Sequence, residues 1–164
     1  RLLLVRGTCH LDASRYVEAE ADLRAAVSHD PDNIDVYRVL GHLLAQTGRF
    51  GEAADAFALQ AERTPDMPGI DALHGAALHQ AERWLAAITP LERAVRTPED
   101  AESRILLADA MVRSGGDLSR ATALLDEAAH IAPRDRRVSE VRSRVLLEQG
   151  DVEGALELLV RAPN

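Results

Sequence analysis

Apolar residues recur at three- and four-residue spacing in ten separate stretches, and a short polar or Gly/Pro-containing break follows each stretch. That spacing lays one apolar stripe along a helix, so the chain predicts amphipathic helices and no strands. First helices of successive pairs are expected over 1–13, 34–46, 68–80, 102–113 and 136–148, and second helices over 15–28, 49–62, 83–96, 117–130 and 151–161. Between pairs stand Pro31-Asp-Asn33, Pro65-Asp66, Pro98-Glu-Asp100 and Pro133-Arg-Asp135. Proline cannot continue a helix, and Asp or Asn can cap the next one. Within the pairs, Thr47-Gly48, Ser114-Gly115-Gly116 and Gln149-Gly150 make the short turns.

The same residue types return with a period of 34. Ala19, Ala53, Ala87, Ala121 and Ala155 form one column, and Leu23, Phe57, Leu91, Leu125 and Leu159 a second. Tyr16, Phe50, Trp84, Leu118 and Val152 form a third, and a fourth runs Gly7, Gly41, Gly75, Asp109, Ser143. A small residue lets two helix backbones approach while a large one fills the space beside it. Repeats at this period form arrays in which each copy buries its face on its neighbours. Tyr37-x-x-Leu40-Gly41 followed by Gly48, Phe50, Ala53, Phe57 and Pro65 resembles the tetratricopeptide repeat, and the resemblance extends over the whole chain. It implies an all-α, right-handed α-solenoid of five antiparallel helix pairs whose first helices line a concave groove. The chain reads as a single array with repeats at about 1–33, 34–67, 68–101, 102–135 and 136–164. It starts at Arg1, already inside a helical pattern, and is expected to be part of a longer protein.

Several positions depart from the pattern. Arg6 and Arg142 stand where the second copy has Leu40, and Gln60 stands where other copies have Ala26, Ala94, Ala128 and Ala162. Pro90 falls mid-helix, where it removes a backbone hydrogen bond and predicts a bend. The last helix carries Leu156, Leu158, Leu159 and Val160 on more than one face, which suggests cover from a further helix, another copy or a partner.

Composition narrows the function. The formal charge is −8, and all nineteen basic residues are Arg, a usage that with the abundant Ala suggests a GC-rich bacterial source. A net negative chain is poorly suited to phosphate backbones, so nucleic acid is not an expected partner. No apolar run reaches the roughly eighteen residues of a membrane span, so a soluble chain is expected, in the cytoplasm rather than the periplasm. The single Cys9 cannot form an internal disulfide, and its apolar neighbours suggest an inert packed thiol.

No catalytic or metal motif stands out. The six histidines are scattered: His10 and His74 fall on packing columns, His29 and His130 near helix ends, and only His42 and His79 are placed to face the groove together. Two histidines with no acid or thiolate beside them make a poor zinc site. Paired cysteines, a nucleophile elbow and a phosphate-cradling glycine loop are all absent from the sequence. The expected protein is therefore not an enzyme and needs no cofactor. Tyr16, Phe50, Trp84, Phe57 and Tyr37 all fall on packing positions, which leaves no ring as a stacking platform for bases.

The resemblance assigns the groove to the columns Leu4, Arg38, Ala72, Leu106, Glu140; Thr8, His42, Ala76, Ala110, Arg144; and Leu11, Ala45, His79, Arg113, Leu147. The candidate binding residues are Arg38, His42, Ala72, Ala76, His79, Leu106, Ala110, Arg113 and Arg144: small residues as a floor, arginines to pair with carboxylates. First helices carry nine Arg against seven acids and the remaining segments ten against twenty, so acidity concentrates outside the groove. Without Lys, and without Asn in the groove columns, the carboxylate clamp of some family members is not expected. The expected function is a non-catalytic scaffold that binds a partner peptide or helix, with some acidic character, in the groove. Self-association through terminal repeats is a further expectation. A structural spacer or oligomerisation segment, or the regulatory arm of a larger enzyme, are the alternatives.

Overall fold

A computed structural model of the chain describes residues 1–161, with the Arg161 side chain and residues 162–164 outside the description. The expected column position of Ala162 therefore lies outside the described residues. Among those residues the secondary structure is ten α-helices. They are α1 Leu2–Asp12, α2 Tyr16–His29, α3 Ile34–Gln46, α4 Phe50–Arg63, α5 Ile70–Gln80, α6 Trp84–Ala94, α7 Ala101–Arg113, α8 Leu118–Ile131, α9 Arg136–Glu148 and α10 Val152–Arg161. All ten stand where the apolar periodicity predicts them.

Packing divides the chain into two compact units, Arg1–Ala81 and Glu82–Asn164. The first holds α1 to α5 and the second α6 to α10, so the third repeat contributes one helix to each. In the first unit α1 packs on α2, α2 on α3, α3 on α4 and α4 on α5. In the second, α6 packs on α7, α7 on α8 and α9, α8 on α9, and α9 on α10.

The repeat columns are the core. Ala19, Ala53, Ala87 and Ala121 are wholly buried, as are Leu23, Phe57, Leu91 and Leu125 beside them. Gly41 shows why the small residue is needed: a Cβ there would stand 2.5 Å from Phe57 Cε1. Burying a side chain of Phe57's size contributes about 1.5–3 kcal/mol, and only a bare backbone opposite lets the ring in.

Caps and turns follow the sequence signals in part. Asp100, Asp117 and Asp135 accept backbone N–H donors of the helices they precede, from Ser103, from Ser119 and Arg120, and from Arg137. Asn33 precedes α3 without such a bond, and Gly69 in a left-handed conformation precedes α5. The within-pair turns need a positive φ, which Gly48 and Gly150 adopt freely at 76° and 85°. Ser14 and Glu82 adopt it at 57° and 58° in the same column, at the steric cost a Cβ brings there.

Three departures from the pattern have physical partners. The Arg6 guanidinium donates to Asp22, so a charged pair stands at the positions where the second copy has the buried Leu40 and Ala56. Arg142 pairs with Asp126 on α8. Gln60 is wholly buried with its Nε2 against Met67 Sδ at 3.0 Å. Pro90 is buried inside α6, which ends at Ala94, short of the expected 96.

The largest departure was not foreseen. Arg104 occupies the column of Val36, Ile70 and Val138, all buried, and is itself only 7% exposed. Its guanidinium donates to the carbonyls of Val95 at 3.2 Å, Thr97 at 3.1 Å and Asp100 at 2.8 Å, and to Glu127 at 2.9 Å. It thereby ties together the carbonyls of the turn that links α6 to α7, where Thr97 also accepts from the Asp100 backbone N–H at 3.3 Å.

Two expectations are corrected. Cys9 is exposed on α1, although the same column holds the buried Leu43, Ala77, Met111 and Val145. Tyr16, which opens α2, is 38% exposed. At the other end, α10 leaves Val152, Leu156, Leu159 and Val160 exposed.

Candidate partner-binding clefts

Each unit carries an open cleft on its first-helix face. In the first unit a cleft of about 520 Å³ lies between α1 and α3, lined by Thr8, Leu11, Asp12, Ser14, Tyr16, Arg38, Val39, His42 and Gln46. The 34-residue period sets Thr8 opposite His42, and two turns of each helix make the walls. In the second unit a cleft of about 380 Å³ between α7 and α9 is lined by Val112, Arg113, Gly115, Arg144, Leu147 and Glu148.

Arg38 and His42 thus share one cleft, and Arg113 and Arg144 the other. Ala72, Ala76 and His79 lie half-buried on α5 and line neither, so the pairing of His42 with His79 across one groove is not seen in either cleft. Leu106 and Ala110 are buried, as α7 is from Ser103 to Val112, and neither lines either cleft. Over that stretch α7 packs against α6, α8 and α9.

The electrostatics of the two clefts differ. The side chain of Asp109 is 5% exposed and accepts from Arg113 Nε at 2.8 Å and from Arg144. Arg113 also lies over the Trp84 ring, 4.6 Å from its centroid. Both arginines of the second cleft are therefore already engaged. The i, i+4 spacing of Asp109 and Arg113 announces one of these contacts. The other joins residues 35 apart, a diagonal between neighbouring repeats that reading down a column passes over. In the first cleft Arg38 is exposed and makes no ion pair among the described residues. The His42 ring packs edge-on against Phe57, centroids 5.4 Å apart. Burial, reinforced by the nearby Arg38 guanidinium, holds its pKa below the ordinary imidazole value.

No group of three or more His, Cys, Asp or Glu side chains among the described residues could hold a metal ion. No helix among them is long and apolar enough to cross a membrane.

Ten helices in a 34-residue repeat, with open clefts on the first-helix face, define the class of helical-repeat protein-interaction scaffolds. Residues 10–77 and residues 107–163 each match a family model described as tetratricopeptide repeat, and the chain belongs to that family. It is similar to the crystal structure of MamA, with a TM-score of 0.84 at 17% identity over 96% of this chain and 86% of that one. YrrB, described as a TPR protein with an unusual peptide-binding site, superposes with a TM-score of 0.82 at 18% identity, over 95% of this chain and 80% of its own. At these identities the likeness shows the fold. A Drosophila melanogaster protein, a BBSome complex member BBS4 homolog, is 26% identical over 149 residues, 84% of this chain. The chain spans 30% of that relative's length.

Proposed function

We propose that the chain is a non-catalytic scaffold that binds a segment of a partner protein on its first-helix face, with the five repeats working as one array. The observation that carries this reading is that each unit opens a cleft on that face, walled by residues of the predicted groove columns. Open clefts that mix polar and apolar side chains suit an extended or helical peptide. YrrB's peptide-binding site gives a precedent for the function on the same fold.

Site-specific photo-crosslinking tests the reading. A photoreactive residue at Val39 or Leu147, in the two clefts, is expected to capture a partner. The same probe at Val17 or Leu85, exposed on second helices, is expected to capture none. Capture only from Val17 and Leu85 would place the binding surface elsewhere.

A second reading has its own observation. Val152, Leu156 and Val160 are 57%, 60% and 85% exposed on α10, and a stripe of this kind favours self-association through the terminal repeat. A mass that rises with concentration, and falls back in Leu156→Glu, supports it.

A further inference from the structure

The two clefts share a fold position and differ in charge. Asp109 holds both Arg113 and Arg144, so a carboxylate entering the second cleft would have to compete with a buried one already in place. Arg38 in the first cleft is exposed and has no ion pair among the described residues. The cleft's apolar and aromatic side chains are Leu11, Val39 and Tyr16, and it also holds His42, whose burial favours the neutral ring. On the facing wall, Asp12 is likewise without an ion pair.

Resting on the partner-segment reading, we propose that acidic recognition is confined to the α1–α3 cleft. Arg38 there takes a single Asp or Glu carboxylate that stands next to an apolar side chain of the partner, while the α7–α9 cleft takes no acid. A guanidinium and a carboxylate make paired, charge-assisted hydrogen bonds, and the apolar neighbour buries against Leu11, Val39 and Tyr16. Asp12 sets the limit to one charge. A second carboxylate crossing to the α1 wall meets the unpaired Asp12 there while Arg38 is already taken by the first, so an acidic run is disfavoured.

Selection from a random-peptide library displayed on phage tests the proposal, with wild type, Arg38→Gln, Arg113→Gln and Asp12→Asn as baits. Arg38 is exposed, so its substitution leaves the fold intact, and thermal unfolding of each bait checks this. Wild type is expected to enrich one Asp or Glu beside Leu, Ile, Phe or Tyr. Replacing that acid by its amide in a synthetic peptide is expected to weaken binding about tenfold or more. Arg38→Gln loses the acidic preference, Arg113→Gln keeps it, and Asp12→Asn admits peptides with two acids. Enriched peptides that are neutral, or an acidic preference that survives Arg38→Gln, overturn the proposal and leave the scaffold reading standing. Failure of every bait to enrich any sequence, together with crosslinks only from Val17 and Leu85, overturns both.

Discussion

Arg6 Nε donates to Asp22 Oδ2 at 2.6 Å, across the helix pair at positions where the second repeat has the buried Leu40 and Ala56. Asp22 is buried and the Arg6 side chain is 58% exposed, so the cation reaches in from the surface to satisfy the acid. The first repeat thus departs from the pattern twice, in two positions that answer each other.

Breaking this pair from one side is expected to cost more than replacing it. Arg6→Leu leaves a buried carboxylate without its main donor and should destabilise the first unit more than Asp22→Ala does. The double variant Arg6→Leu, Asp22→Ala installs the second repeat's residues and should recover most of the loss. Urea unfolding of the three variants measures the non-additivity. Additive losses would mean that the pair contributes nothing as a pair.

Arg104 makes the opposite case, because the column residue is the wrong residue there. Arg104→Val restores what Val36 and Val138 provide, yet it removes the guanidinium's hydrogen bonds to the carbonyls of Val95, Thr97 and Asp100. It is expected to destabilise by about 1.5–3 kcal/mol, as for hydrogen bonds to a charged group. Hydrogen exchange should show the loss first in the turn between α6 and α7.

Gly41→Ala puts a methyl group against the Phe57 ring, and both helices are too tightly packed to part freely. A cost of about 1–3 kcal/mol is expected from overpacking. Gly41→Ala with Phe57→Leu, the residue of the first and third repeats, should recover part of it in thermal unfolding.

Glu82 holds a left-handed φ of 58° that Gly48 and Gly150 adopt without a Cβ. Glu82→Gly is expected to raise stability by about 0.5–1 kcal/mol, the relief of strain exceeding glycine's added freedom when unfolded. A lower melting temperature would show that the entropy term wins.

Acid stability should fall in two windows. The folded pKa of His42 lies below its ordinary 6.5, so as pH drops through 6.5 the unfolded chain takes up a proton that the folded one does not, and stability declines. Asp22, Glu20, Glu52 and Asp135 are held below their ordinary values of 3.8 to 4.5, first by hydrogen bonds from Arg6, Arg49, Arg49 and Arg137 respectively. Their stabilisation is complete above those values and is lost as pH falls beneath them. His42→Gln should flatten the upper window and leave the lower one, as followed by urea midpoints against pH.

Much of this was legible in the sequence because a helix repeats every 3.6 residues and the array every 34. All ten helices, the Gly41–Phe57 contact and the grouping of Arg38 with His42 follow from those two periods. Contacts on the diagonal between copies do not. Arg144 with Asp109, and Arg49 with Glu20 at 2.7 Å, join residues one period apart give or take a few, and no column shows them. For the same reason Arg113 and Arg144 read as free cations until Asp109 was placed between them.

Residue size and spacing along one or two adjoining helices suffice for the family, the helices and the small-against-large packing of each pair. Which charges are spent and which remain depends on how separate helices come together: Arg104 turned inward onto carbonyls, Arg113 and Arg144 onto Asp109, Arg38 left open, Cys9 exposed. A guanidinium reaches several ångströms from its backbone, and its partner is whatever the packing of neighbouring helices brings within that reach.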